Sequence, residues 1–132
     1  MYAERSILNP TFESKSSIRL FMSEKDEANL LALLDSANKV LVFTENIADA
    51  FYNDVKTFNA VLMNFVVIGE SVAKLSEEVR NAHPHVPWTT IKRFRNIIAH
   101  NYFGVDAEEV WQIIHHQIPD LIQEVAFIAN KP

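Results

Sequence analysis

The 132-residue chain contains no cysteine and only two glycines. The lack of cysteine rules out a disulfide framework and a thiolate metal site, and is the usage expected of a reducing cytoplasm. So little glycine disfavours tight β-hairpins, whereas the plentiful Leu, Ala, Glu and Lys suit helices. No uninterrupted apolar run approaches the roughly 18 residues of a membrane span, and no basic-then-apolar leader opens the chain. The expectation is a cytoplasmic protein with no membrane segment. A further absence is local. From Val79 to Val105 there is no Asp or Glu, although the chain carries 17 acids. Arg80, Lys92, Arg93 and Arg95 fall in this window beside His83, His85 and His100, so the net charge of −5 divides into +4 there and −9 elsewhere. An acidic total argues against nucleic acid as a partner. A basic stretch in an acidic body is either a solvated run or a face for phosphate.

A chain of this length makes one domain and buries about two-thirds of its unfolded surface. Residues 1–22 show no sustained period and are expected to form an arm, ahead of a helical domain over 23–132. Ser23 and Asp26 resemble a capping box opening a helix with Leu30, Leu33, Leu34, Ala37 and Leu41 at helical spacing. The segment FTENIADAFYND reads as a break or short helix. From about Asp54 a second long helix presents Val55, Phe58, Val61, Leu62, Phe65, Val66, Gly69, Val72 and Leu75, and it fades near HPHVP, where Pro84 and Pro87 block continuation. Pro87 suits the first turn of a third helix, whose buried stripe is Trp88, Ile91, Phe94 and Ile98. Gly104 lets the chain turn. Asp106 with Glu109 caps a fourth helix, Val105 with Val110 forms a hydrophobic staple, and Pro119 is expected to kink that helix. The economical architecture is all-α, an antiparallel bundle of four to five helices.

The chemistry concentrates in RNIIAHNYF, Arg95 to Phe103. Composition alone yields about 0.2 arginine–histidine pairs at this spacing, and Arg80 with His85 is such a chance pair. Adding a tyrosine two residues past the histidine lowers the chance figure to about 0.004, and only Arg95, His100 and Tyr102 qualify. On a helical projection Arg95 lies about 70° from the centre of the apolar stripe, whereas Arg93 lies about 130° away, facing solvent. Arg95 is therefore the cation that needs an anionic partner, unless its stem covers apolar surface while its head stays wet. His100 lies about 140° from Arg95, too far round to share a site within one continuous helix. Either the helix ends near Ala99, or His100 works with Arg95 of another subunit, and both can hold in a two-fold dimer that juxtaposes these helix ends.

RNIIAHNY carries the Arg-x4-His-x-Tyr pattern and resembles the HepT toxins, a branch of the HEPN (higher eukaryotes and prokaryotes nucleotide-binding) superfamily. FNAVLMNFVVIGESVAKLSEEVR is similar to that family's second helix, with Ile68-Gly69-Glu70 at its Ile-Gly-Glu centre. VPWTTIKRFRNIIAHNYFGVDAEEVW resembles the family's Pro-Trp, Arg-Asn, His-x-Tyr and Val-Asp block. The resemblance runs from about residue 24 to 125. Two positions depart from the pattern: Lys92-Arg93-Phe94 replaces a commoner glycine-containing approach, and Asn101 stands where Asp is frequent. The resemblance implies a HEPN-like bundle and a homodimeric endoribonuclease that uses neither metal nor cofactor. Its catalytic residues would be Arg95 and His100, with Asn96 and Tyr102 in support and RNA (tRNA or mRNA) as substrate; Lys92 and Arg93 of the basic window are the candidates to contact that RNA. It also implies a toxin–antitoxin pair in which an MNT-type nucleotidyltransferase antitoxin neutralises the toxin by transferring AMP to Tyr102.

The reaction needs a base for the 2′-hydroxyl, an acid for the leaving 5′-oxygen and a cation for the phosphorane. Imidazole can do either proton transfer, and two copies of His100 could supply both. Arg95 would clamp the phosphate, and Asn96 would position the phosphate or the His100 ring. The other candidates rank lower. His83 and His85 belong to a polar loop without an evident third metal ligand. His115 and His116 are surface and rim, Glu70 is a buried partner for an arginine, and Trp88 and Trp111 are core. The competing reading is a non-catalytic HEPN module that binds nucleotide or protein.

Overall fold

The computed structural model describes residues 22–129, without the side chains of residues 48–50. The expected arm therefore lies almost wholly outside the described residues. These form six helices and no strand: α1 (Glu24–Phe43), α2 (Val55–Lys74), α3 (Glu77–Ala82), α4 (Trp88–His100), α5 (Ala107–His116) and α6 (Ile118–Ile128), with short 3-10 turns at Ala48–Asn53 and Tyr102–Gly104. The expected all-α bundle is present, with two of the anticipated long helices each divided in two. α2 stops at Leu75, whose backbone is extended, and Ser76 caps the separate α3 by accepting from the Val79 N–H at 3.3 Å. At the other division Gln117 separates α5 from α6, and Pro119 sits in the first turn of α6. There its missing N–H has no helical partner to forfeit, so the proline starts a helix instead of kinking one.

α2 is the middle of the bundle. It packs against α1 on one side and α4 on another, while α1 also meets α6 and α5 rests on the 3-10 turn Ala48–Asn53. Leu30, Leu33, Ala37 and Val40 of α1 face Val61, Leu62, Phe65, Ile68 and Val72 of α2 in one buried cluster, joined by Phe51, Ile98, Val110, Ile114 and Val125. By length and composition α2 is apolar enough to cross a membrane, although the sequence shows no uninterrupted run of that length. Polar residues such as Asn59 and Asn64 interrupt it, and its apolar face lies in the core shared with α1 and α4.

The helix starts obey cap chemistry, with one surprise. Ser23 accepts from the Asp26 N–H at 3.0 Å, as expected. Asp26 does not complete a capping box, however. Its carboxylate, only 5 % exposed, accepts from the Ser76 N–H at 2.9 Å and from the Ser76 hydroxyl at 2.7 Å. A charge left unpaired there would be costly, and the α3 cap supplies the donors. Asp54 caps α2 by accepting from the Thr57 N–H and hydroxyl, and these bonds hold its carboxyl below the usual carboxylate range. Asp106 caps α5 through the Glu108 N–H at 3.0 Å.

Candidate active site

α4 and α2 cross where Arg95 meets Gly69. A Cβ on Gly69 would lie 2.2 Å from the Cβ of Arg95 and 2.6 Å from its Cγ, so only a glycine admits this approach. The crossing sets the arginine's stem against α2. Its side chain is 17 % exposed, and Nη1 donates to Glu70 Oε2 at 2.5 Å. Nε donates to Asn96 Oδ1 at 2.8 Å. These two bonds leave the Nη2 donors of the fork for an anion. Arg95 thus has the anionic partner its position requires. Glu70 differs from expectation in being about half exposed rather than buried, and the Asn96 Oδ1 is engaged by Arg95.

His100 is the last residue of α4, exposed and without a hydrogen-bond partner among the described residues. The helix continues past Ala99, so Arg95 and His100 of one chain diverge by about 140°. α4 thus ends within one residue of the end expected near Ala99. Beyond His100 the chain folds into the turn Tyr102–Gly104. Neither glycine has a positive φ, so Gly104 does not act as a left-handed cap. It is needed because a Cβ there would lie 2.2 Å from the side-chain nitrogen of Asn101. The Tyr102 ring packs edge-on against Phe103 with centroids 5.4 Å apart, and its hydroxyl donates to Asn59 Oδ1 on α2. Phe103 is 99 % exposed.

One stripe of α2 therefore holds both ends of the motif. Asn59, Met63 and Glu70 fall within about 40° of one another on the helix. Met63, 62 % exposed, stands between the residue that binds Tyr102 and the residue that binds Arg95. Asn59 carried no signal in the sequence. A lone polar residue on a helix does not disclose which side chain, 43 positions away, will bond to it.

A groove of about 500 Å³ lies on the opposite side of α4, walled by Phe65, Ile68, Phe94, Ile97, Ile113 and Leu121. None of Arg95, Asn96, His100 and Tyr102 lines it, whereas Arg93 does. Lys92 borders neither feature and, like Arg93, has no ion-pair partner among the described residues. The groove's rim carries Asp106, Glu109, Asp120 and Glu124, and such a rim repels an RNA phosphate. The motif residues therefore lie outside this groove.

The remaining candidates separate as well. The Arg80 Nε is buried on α3 and has no partner among the described residues, while His85 is exposed at the groove. The His83 and His85 rings stand 6.2 Å apart, and no cluster of three His, Cys, Asp or Glu among the described residues forms a metal site with them or elsewhere. Burial, and then the nearby His85, push the His83 imidazole below its ordinary value. His115 stacks on Trp111 with centroids 4.3 Å apart.

Known proteins resemble this chain. A family model described as "Ribonuclease HepT-like" matches residues 33–128. A protein of Methanocaldococcus jannaschii named as a "Putative RNase" is 37 % identical over 106 residues, covering 79 % of this chain and 88 % of that protein. A second of that name from the same organism is 35 % identical over 109 residues, 81 % of this chain and all of the other. The "Probable ribonuclease HepT" of Thermococcus cleftensis is 30 % identical over 97 residues, 74 % and 84 % of the two chains. No solved structure matches the chain.

Proposed function

This chain belongs to the HepT-like ribonuclease family, and from that premise we propose that it is a metal-independent endoribonuclease acting as a homodimer. The observation that carries the composite site is the continuity of α4 through His100. Within one chain Arg95 and His100 point too far apart to close on one phosphate, whereas a two-fold axis beside the motif face brings each Arg95 towards the partner's histidine. One His100 imidazole takes the proton of the 2′-hydroxyl as its oxygen bonds to phosphorus. The other protonates the 5′-oxygen as the P–O5′ bond breaks, leaving a 2′,3′-cyclic phosphate and a free 5′-hydroxyl. The Nη2 donors of Arg95, fixed by Glu70 and Asn96, stabilise the phosphorane charge. Lys92 attracts the RNA backbone, whereas Arg93 faces the acid-lined groove and is left out of the RNA path.

In this reading the protein is the toxin of a toxin–antitoxin pair and acts on tRNA or mRNA in the cytoplasm. A partner nucleotidyltransferase neutralises the toxin by attaching AMP from ATP to Tyr102: the phenolic oxygen bonds to the α-phosphorus, pyrophosphate leaves, and the phenol loses its proton. The new phosphodiester places a negative charge where an RNA phosphate would bind.

The deciding experiment is RNA cleavage by the purified protein with EDTA present. Arg95→Ala and His100→Ala should each abolish cleavage with an unchanged circular dichroism spectrum. Arg80→Ala and His85→Ala, the chance pair, should retain most of it. Equal losses from both pairs, inhibition by EDTA, or a monomer that still cleaves would overturn the assignment.

A further inference from the structure

The bond from the Tyr102 hydroxyl to Asn59 Oδ1 ties α2 to the turn that follows His100. Among the described residues the turn's other hydrogen bonds are local, and Val105 after it packs against the core: the Asn101 N–H donates to Ile97 O at 2.9 Å, Gly104 to Asn101 O at 3.0 Å, and Val105 to Tyr102 O at 3.4 Å. The last turn of any helix frays unless something holds it, and His100 is the last residue of this one. Phe103 gives no help, since its side chain is almost wholly in solvent. The Asn59–Tyr102 bond is thus the long-range polar tether nearest to the histidine. Asn59 is an amide and no base, so it accepts the phenolic hydrogen without removing it. In this geometry the hydroxyl hydrogen is engaged with α2 and is not directed at a substrate.

We infer that Asn59 is a positioning residue for the cleavage reaction, acting through Tyr102 to hold the end of α4, and with it His100, in one place. Tyr102 contributes to cleavage as the middle link of this tether. The same stripe of α2 fixes Arg95 through Glu70, so a single helix sets the spacing of both catalytic side chains. This inference rests on the ribonuclease reading above.

The test is a double-mutant cycle on kcat, with His100→Ala as the inactive reference. Asn59→Ala and Tyr102→Phe should each lower kcat by about tenfold to a hundredfold, the loss that an ångström-scale misplacement of a reacting group produces. KM should move little, because ground-state binding is left intact. The double variant should lose no more than either single one, as members of one chain of contacts do. Asn59→Asp keeps the acceptor oxygen and should restore most of the rate. Multiplied losses in the double variant would overturn the inference and assign Tyr102 a direct contact with substrate. Full activity of Asn59→Ala would overturn it as well. If the wild type cleaves no faster than His100→Ala, the ribonuclease reading fails instead. The tether is then read from the His100 ring resonances in NMR, which should broaden or shift in Asn59→Ala and return in Asn59→Asp; unchanged resonances would refute it.

Discussion

Replacing Gly69 by alanine tests the crossing of α2 and α4. In an exposed helix this change stabilises, since glycine is about 1 kcal/mol worse than alanine in a helix interior. Here the added methyl would sit 2.2 Å from the Cβ and 2.6 Å from the Cγ of Arg95, where carbon atoms prefer about 3.5–4.0 Å. The obstructing atoms are the root of the Arg95 side chain and cannot swing away, so the two helices must part by more than an ångström. Overpacking of this kind costs about 1–3 kcal/mol and occasionally more. With the methyl more than an ångström inside contact distance the cost falls in the upper part of that range, about 2–3 kcal/mol, so a net loss of about 1–2 kcal/mol remains after the propensity gain. For a domain of this size that is a fall of roughly 3–8 °C in the unfolding midpoint. The catalytic loss should be larger than the thermal one, because displacing the guanidinium by about 1 Å can cost a hundredfold in rate. Thermal unfolding by circular dichroism and RNA cleavage on one preparation measure both. A Gly69→Ala protein as stable as the wild type and fully active would refute the close crossing.

Asp26→Ala should destabilise by about 2–3 kcal/mol, because two bonds from a buried carboxylate to the α3 cap are lost together; a lowered urea midpoint with unchanged slope checks this. His83 supplies a pH dependence. Its folded-state pKa lies below the ordinary 6.5, so its contribution is fully present above about pH 6.5 and is lost as the pH falls through the folded value. The thermal midpoint should drop on acidification below pH 6.5, and His83→Gln should flatten that slope; an identical slope in the variant counts against it. Intact-mass spectrometry of the protein made with its partner nucleotidyltransferase should find additions in units of AMP that vanish in Tyr102→Phe, whereas a silenced but unmodified chain would mean inhibition by binding alone.

Much of the architecture was legible because helical signals are local. The apolar spacing of Leu30, Leu33 and Ala37, or of Val61, Leu62, Phe65 and Val72, marks a face whatever it packs on. Ser23, Asp54 and Asp106 announce helix starts through a bond within three residues. The misread points are those where a local signal had two outcomes. A serine inside an apolar pattern can continue a helix or cap a new one, and Ser76 caps because Asp26 engages its hydroxyl and N–H from 50 residues away. A proline in a helical pattern can kink it or begin the next helix, and Pro119 begins α6. Gly104 marked a turn, and the chain turns there, but what requires a glycine is the contact with the Asn101 side chain.

The candidate site divides the same way. The sequence by itself determined the all-α class, the helix faces and the identity of Arg95, His100 and Tyr102, because period, caps and motif spacing are properties of neighbouring residues. The sequence marked Glu70 as the partner of an arginine, and the tertiary structure decided which arginine and which other groups hold the motif. Glu70 engages Arg95 across 25 residues and Asn59 engages Tyr102 across 43, and Gly69 matters only because Arg95 passes over it. Such pairings depend on how two helices cross, and crossing angle and depth are set by the packing of the whole core. No window along the chain contains that information.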